Sequence, residues 1–98
     1  MPDERSDSEL VQAANSGSEE AFEELYFRYR DWVVRLAYRF TGNREDALDV
    51  MQETFLYLAG KFPGLRLTSS MTTFLYPVVK HKSSDARRKS ARFVTGEE

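Results

Sequence analysis

The chain has 98 residues and no cysteine, so disulfides, thiol nucleophiles and thiolate metal sites are excluded together. It has one histidine, His81, which stands among Lys80, Lys82 and Ser83, with no carboxylate partner read beside it. Nucleophilic catalysis by a Ser–His pair needs a buried, oriented constellation, and a metal site needs several converging ligands. The expectation is therefore a binding protein rather than an enzyme, with no catalytic residue, no bound metal and no cofactor. No apolar run approaches the ~20 residues of a membrane-spanning helix. The opening MPDERSDSEL is acidic and polar, unlike a secretory signal, and a cytoplasmic protein is expected. Period-two alternation of apolar residues is missing throughout, as are internal repeats and low-complexity tracts.

What is present is helical periodicity on a one-domain length. The apolar share is 41% and the charged share 31%, which suits a folded domain with well-solvated helices. Net charge is −2, but its distribution is uneven. Residues 1–60 carry 13 acids and 6 bases, while residues 61–98 carry 8 bases and 3 acids. The asymmetry points to partners of opposite sign, to one nucleic-acid face, or to packing of the two halves against each other.

Four helices are predicted. The first covers about 8–15, with Ser6 and Glu9 at capping-box spacing and Leu10, Val11 and Ala14 as its apolar stripe. Residues 15–18, NSGS, break it. Ser18 caps the second, in which Phe22, Leu25, Tyr26, Tyr29, Val33, Leu36, Ala37 and Phe40 recur every three or four positions. Gly42 ends it. Asn43 caps the third, whose buried face is Ala47, Val50, Met51, Thr54, Phe55 and Leu58, and residues 61–64, KFPG, stop it. A loop at 62–70 retains Phe62, Leu65 and Leu67, so it either tucks against the core or forms part of a pocket. Ser69 or Ser70 caps a fourth helix over about 71–93. Pro77 predicts a kink in it, or a regular part that begins only near Tyr76, because an interior proline loses a hydrogen bond and clashes with the carbonyl four residues back. The fold class is all-α, a compact bundle of about four helices: a short first helix, two long antiparallel helices, a loop and a basic C-terminal helix. The domain is expected over 7–93, with a flexible 1–6 and a linker start or frayed tail at 94–98.

Two faces stand out. Asp46, Asp49 and Glu53 align on the third helix beside Gln52 and Leu56. Like charges at this spacing disfavour an isolated helix, so the strip is either a solvated surface or one that meets a basic partner. On the fourth helix, Thr72, Thr73, Phe74 and Tyr76 precede Lys80, Lys82, Arg87, Arg88, Lys89 and Arg92. Cations hold phosphates and aromatic faces stack unpaired bases. The alternative is an aromatic core followed by a solvated basic helix end.

Taken together, AFEELY at 21–26, NREDALDVMQETFLYL at 43–58, TFLY at 73–76 and DARR at 85–88 resemble region 2 of extracytoplasmic-function (ECF) sigma factors of the sigma-70 family. The resemblance implies transcription initiation. Asp46, Asp49, Gln52, Glu53 and Leu56 would bind core RNA polymerase at the clamp helices of its β′ subunit. Thr72, Thr73, Phe74, Tyr76, Lys80, Lys82, Arg87, Arg88 and Arg92 would bind promoter DNA at the −10 element, single-stranded and duplex. Phe62, Leu65, Arg66, Ser69, Ser70 and Met71 would form a loop that captures a flipped base. An anti-sigma protein is a further implied partner. The chain departs from the family pattern at Phe74, where Trp is common, at His81, where Asn is common, and at Pro77. Region 4 has no counterpart in this sequence, so −35 recognition is not expected of it. Outside the resemblance, an all-helical protein-interaction module without nucleic-acid binding stays open. A helix-turn-helix reader fits less well, because it needs a tight turn where this chain has the 62–70 loop.

Overall fold

Among the described residues four helices form in chain order: α1 (Asp7–Asn15), α2 (Glu19–Thr41), α3 (Arg44–Ala59) and α4 (Met71–Thr95). The computed structural model describes residues 4–95, with side chains through Ala91, and no strand occurs among them. The all-α expectation is met, and the helix boundaries follow the capping chemistry. Ser6 Oγ accepts from the Glu9 amide at 3.1 Å while Glu9 Oε1 accepts from the Ser6 amide at 2.8 Å, a complete capping box. Ser18 Oγ and Asn43 Oδ1 accept from Ala21 and Asp46 amides at 3.0 and 2.9 Å. Gly42 takes the left-handed conformation at φ 69° and donates to the Tyr38 carbonyl at 2.7 Å. That is the geometry in which a Cβ is strained. Only residues 42–43 separate α2 from α3, and so short a connection turns the chain back on itself.

The core runs through all four helices. Leu10 of α1, Leu25 and Val33 of α2, Leu58 of α3 and Leu75 and Val79 of α4 are fully buried, each side chain contributing roughly 1.5–3 kcal/mol through removal from water. The expected stripe of α2 faces inward, with Phe22, Tyr26, Tyr29, Leu36 and Phe40 half-buried along its edges. Tyr26 meets Phe55 edge-on at 5.0 Å, which ties α2 to α3. The α3 face is also as expected, except that Met51 is only half-buried.

A polar pin fastens α1 to α2. Arg28 donates to Asp7 Oδ1 and to the Arg5 carbonyl, each at 2.9 Å, and Tyr29 donates its hydroxyl to Asp7 Oδ2. Burial, and then the Asp7 carboxylate, push the Tyr29 hydroxyl up to about 12. Burial opposes the charge on Arg28, but Asp7 and then Glu24 outweigh it and hold the guanidinium above its ordinary value.

The fourth helix corrects one expectation. It is helical from Met71 onward with Pro77 inside it, so its regular part does not begin near Tyr76. The first turn is anchored before the proline is reached. Ser70 Oγ accepts from the Thr73 amide at 3.1 Å, the Ser70 carbonyl accepts from Phe74 at 3.0 Å, and Met71 and Leu75 are fully buried. The carbonyl that Pro77 leaves without a donor belongs to Thr73, an exposed residue, so water can satisfy it.

Candidate functional site

The loop at 62–70 is shaped from a distance. Asn15, at the end of α1, accepts from the amides of Gly64 and Leu65 at 2.6 and 3.0 Å and donates to the Leu65 carbonyl at 2.9 Å. Gly64 has φ 112°, which only glycine adopts without strain. Leu65 is buried in the core, and Phe62 packs edge-on against Phe22 at 5.9 Å. The loop is thus both tucked in and pocket-forming: its remaining residues wall a cavity of about 640 Å³ beside α4.

The cavity draws on three elements. Tyr57 comes from α3, Arg66, Leu67, Thr68 and Ser69 from the loop, and Thr73, Phe74, Pro77, Val78, His81 and Lys82 from α4. Phe74 and Tyr57 stack at 6.5 Å and 29°, near the far end of the aromatic contact range. Lys61 Nζ lies 4.7 Å from the Tyr57 ring centroid. Hydroxyls, two aromatic rings, a guanidinium and an ammonium therefore surround one opening.

The expected site residues divide among separate places. Thr73, Phe74, Lys82, Arg66 and Ser69 meet at the cavity. Tyr76 does not; it packs edge-on against Phe40 of α2 at 6.0 Å, 44% exposed. Thr72 is half-buried, and Lys80 and Arg87 are exposed. Arg88 pairs with Asp85 and reaches Ser84 Oγ at 3.1 Å. The Arg92 side chain lies outside the described residues. Two assignments change. Met71 belongs to α4 and is fully buried, so the loop ends at Ser70, which caps the helix. His81 does have a carboxylate neighbour: Asp85, one turn on, lies 3.7 Å from its Nδ1.

On α3, Asp49, Gln52, Glu53 and Leu56 are exposed, Leu56 at 68%. Asp46 is half-buried and accepts from Ser90 Oγ at 3.0 Å. Glu53 lies 3.9 Å from Lys82 Nζ. The acidic strip and the basic helix therefore share a groove of about 340 Å³, with Asp46, Asp49 and Glu53 on one side and Lys82, Asp85 and Lys89 on the other. The two halves of opposite charge do pack together in part, while leaving the outer strip open. Tyr57 and Asn15 are site-forming residues that local spacing does not single out. Tyr57 joins the site only because the loop folds back beside it, and the loop contacts of Asn15 span 49 and 50 positions, so neither carried a local signal.

The family profile described as Sigma-70 region 2 matches residues 25–93. The chain belongs to the sigma-70 region 2 family. The likeness to ECF sigma factors is also borne out. The chain is 27% identical over 79 residues to the ECF RNA polymerase sigma factor SigW of Bacillus subtilis, covering 81% of this chain and 42% of that protein. It is 28% identical over 103 residues to the RNA polymerase sigma-H factor of Pseudomonas aeruginosa, covering 100% and 53%. It is 30% identical over 87 residues to the ECF sigma factor SigM of Mycobacterium tuberculosis, covering 89% and 44%. This region 2 thus spans about half the length of the relatives it matches. Its fold is that of an engineered region 2 of sigmaE, solved by NMR in complex with GTAAAA, with a TM-score of 0.83 and 24% identity over 97% of this chain and 99% of that one.

Proposed function

We propose that this region 2 acts in transcription initiation, joining core RNA polymerase to the −10 element of a promoter. The observation that carries the reading is the cavity lined by the stacked Tyr57 and Phe74 together with Arg66, Thr73 and Lys82. Its volume of about 640 Å³ falls within the ~300–1,000 Å³ of ligand clefts. Aromatic walls return ~1–3 kcal/mol for each stacked base, against a few kcal/mol to unstack it. The balance is close, so the domain by itself binds single strand weakly and gains from being held on polymerase.

In this reading Arg66, Ser69, Thr73 and Phe74 hold the flipped base, and Phe62, Leu65, Ser70 and Met71 shape the loop and the helix start around it. Thr72 and Tyr76 lie at the strand-separating end, and Lys80, Lys82, Arg87, Arg88 and Arg92 hold backbone phosphates. Asp46, Asp49, Gln52, Glu53 and Leu56 dock on the clamp helices of the β′ subunit, Asp46 from a position it shares with Ser90. Residues 7–93 form the working domain of this reading. The protein works in the cytoplasm, where an anti-sigma protein would withhold it from polymerase.

The docking test is a pull-down of core polymerase with the wild type and the Asp49→Arg/Gln52→Ala variant. Retention falls strongly in the variant, and equal retention removes the docking assignment. For DNA, five or six engaged cations give a slope of about −3 to −5 in log K against log salt. An affinity for −10 single strand that salt does not change contradicts the phosphate assignment and favours a protein-only module.

A further inference from the structure

On the side of α3 away from α4, a groove of about 390 Å³ runs between α2 and α3. Its floor is apolar: Val34 and Met51 are half-buried and Leu48 is 37% exposed. Phe27 projects nearby at 54% exposure. Its charged lining is Arg30, Arg35 and Arg44, against the single acid Asp31. Arg35 and Arg44 make no ion pair among the described residues. Arg44 is also the first residue of α3, where the helix dipole favours anions rather than cations. Arg30 is held over the Tyr26 and Phe27 rings, 5.8 and 5.2 Å from their centroids, and its Nε is a loose 3.8 Å from Asp31. Such a guanidinium is pre-positioned, with hydrogen-bonding capacity to spare.

We propose that this α2–α3 groove docks an acidic amphipathic helix of a protein partner distinct from the polymerase surface that meets the α3 strip. A paired helix surface accepts a third helix by taking its apolar residues at i, i+3, i+4 and i+7 into the groove. Val34, Leu48 and Met51 supply that floor. Carboxylates on the flanks of the incoming helix meet Arg30, Arg35 and Arg44 as charge-assisted pairs. The sign of the groove sets the partner apart. A polymerase segment basic enough to match Asp49 and Glu53 is repelled by three arginines one helix face away. The floor sets it apart from nucleic acid, because Val34, Leu48 and Met51 are aliphatic and offer no flat ring on which a base could stack.

The test is an amide NMR titration of the whole chain with a synthetic helical peptide bearing leucine at i, i+3, i+4 and i+7 and glutamate on its flanks. A matched peptide carries lysine in place of glutamate. The glutamate peptide moves the Val34, Leu48 and Met51 signals to saturation, and the lysine peptide leaves them in place. The Arg35→Glu/Arg44→Glu variant weakens the glutamate peptide at least tenfold. Leu48→Asp abolishes its binding, with Leu48→Ala as the milder substitution should the aspartate disturb folding. Four results overturn the proposal: equal binding of the lysine peptide at these residues; displacement of the glutamate peptide from them by single-stranded DNA; peptide-free shifts of the same signals that grow with protein concentration, which assign the groove to a second copy; and loss of polymerase retention in Arg44→Glu to the extent seen with Asp49→Arg.

Discussion

Asp46, Asp49, Gln52, Glu53 and Leu56 all come from one helix, and their alignment follows from α3 being a helix at all. The cavity beside α4 is assembled instead from α3, the 62–70 loop and α4, with Asn15 of α1 fixing the loop from outside. The strip requires only that α3 keep its register. The cavity requires four separate elements to be in place together. Surfaces of the first kind tolerate change around them, whereas those of the second kind fail when any supporting element loosens. The contrast predicts that stability changes reach DNA binding before they reach polymerase docking.

The largest expected effect is on α4. An interior proline costs roughly 3 kcal/mol relative to alanine, and Pro77 is both interior and part of the cavity wall. Pro77→Ala is expected to raise stability in urea denaturation by up to about 3 kcal/mol, because the alanine amide would again donate to the Thr73 carbonyl. Removing the ring opens the wall, so single-strand affinity should fall severalfold. A gain in stability with unchanged affinity would separate Pro77 from the site and weaken the contrast.

Asn15 tests the supporting element directly. Its three hydrogen bonds to the loop are worth ~1 kcal/mol each, and removal leaves loop amides without partners. Asn15→Ala should cost about 2 kcal/mol and lower single-strand affinity, with polymerase retention as in the wild type. A parallel loss of both binding activities would show that the strip depends on the same support.

The same contrast governs what could be read before the fold was known. The caps at Ser6, Ser18 and Asn43, the Gly42 stop and the α3 strip are local patterns of side chain against backbone, and each was legible. Asn15 read as part of a break because its partners lie 49 and 50 positions away. Met71 read both as the start of the fourth helix and as the end of the capture loop, and only its burial reveals that it anchors α4. Tyr57 follows the exposed Leu56, and spacing alone does not show that the loop folds back to enclose it. The His81–Asp85 neighbourhood was local and still missed. Both positions lie in the predicted fourth helix, where i,i+4 spacing alone places them one turn apart.

Tyr29 supplies a control far from both surfaces. Its hydroxyl donates to Asp7, and Tyr29→Phe should cost about 1 kcal/mol near neutral pH, read by thermal unfolding. The folded-state value, near 12, lies above the ~10 of an unfolded tyrosine. The sign is therefore that of a proton held more tightly in the fold. The contribution is complete below pH ~10 and is lost as pH rises through about 12. The phenylalanine variant should lack that decline. Polymerase and DNA binding at neutral pH should match the wild type, since α1 need only be docked, not tightly pinned, for Asn15 to reach the loop.

The smallest effect lies where the two surfaces touch. Glu53 is 59% exposed and sits 3.9 Å from Lys82 Nζ, so the pair should contribute less than about 1 kcal/mol to stability. Lys82 lines the cavity and the α3–α4 groove alike, so neutralising Glu53 releases one cation toward the DNA side. Glu53→Gln should leave the unfolding midpoint nearly unchanged and raise single-strand affinity about twofold, within the range of a weak surface pair. Loss of nearby negative charge by itself would give a similar gain, so Glu45→Gln on the same helix serves as the comparison. The difference between the two variants should vanish in a Lys82→Ala background. Its persistence there would mean that Glu53 acts on DNA through the general field of α3 and not through Lys82, leaving the two surfaces adjacent but uncoupled.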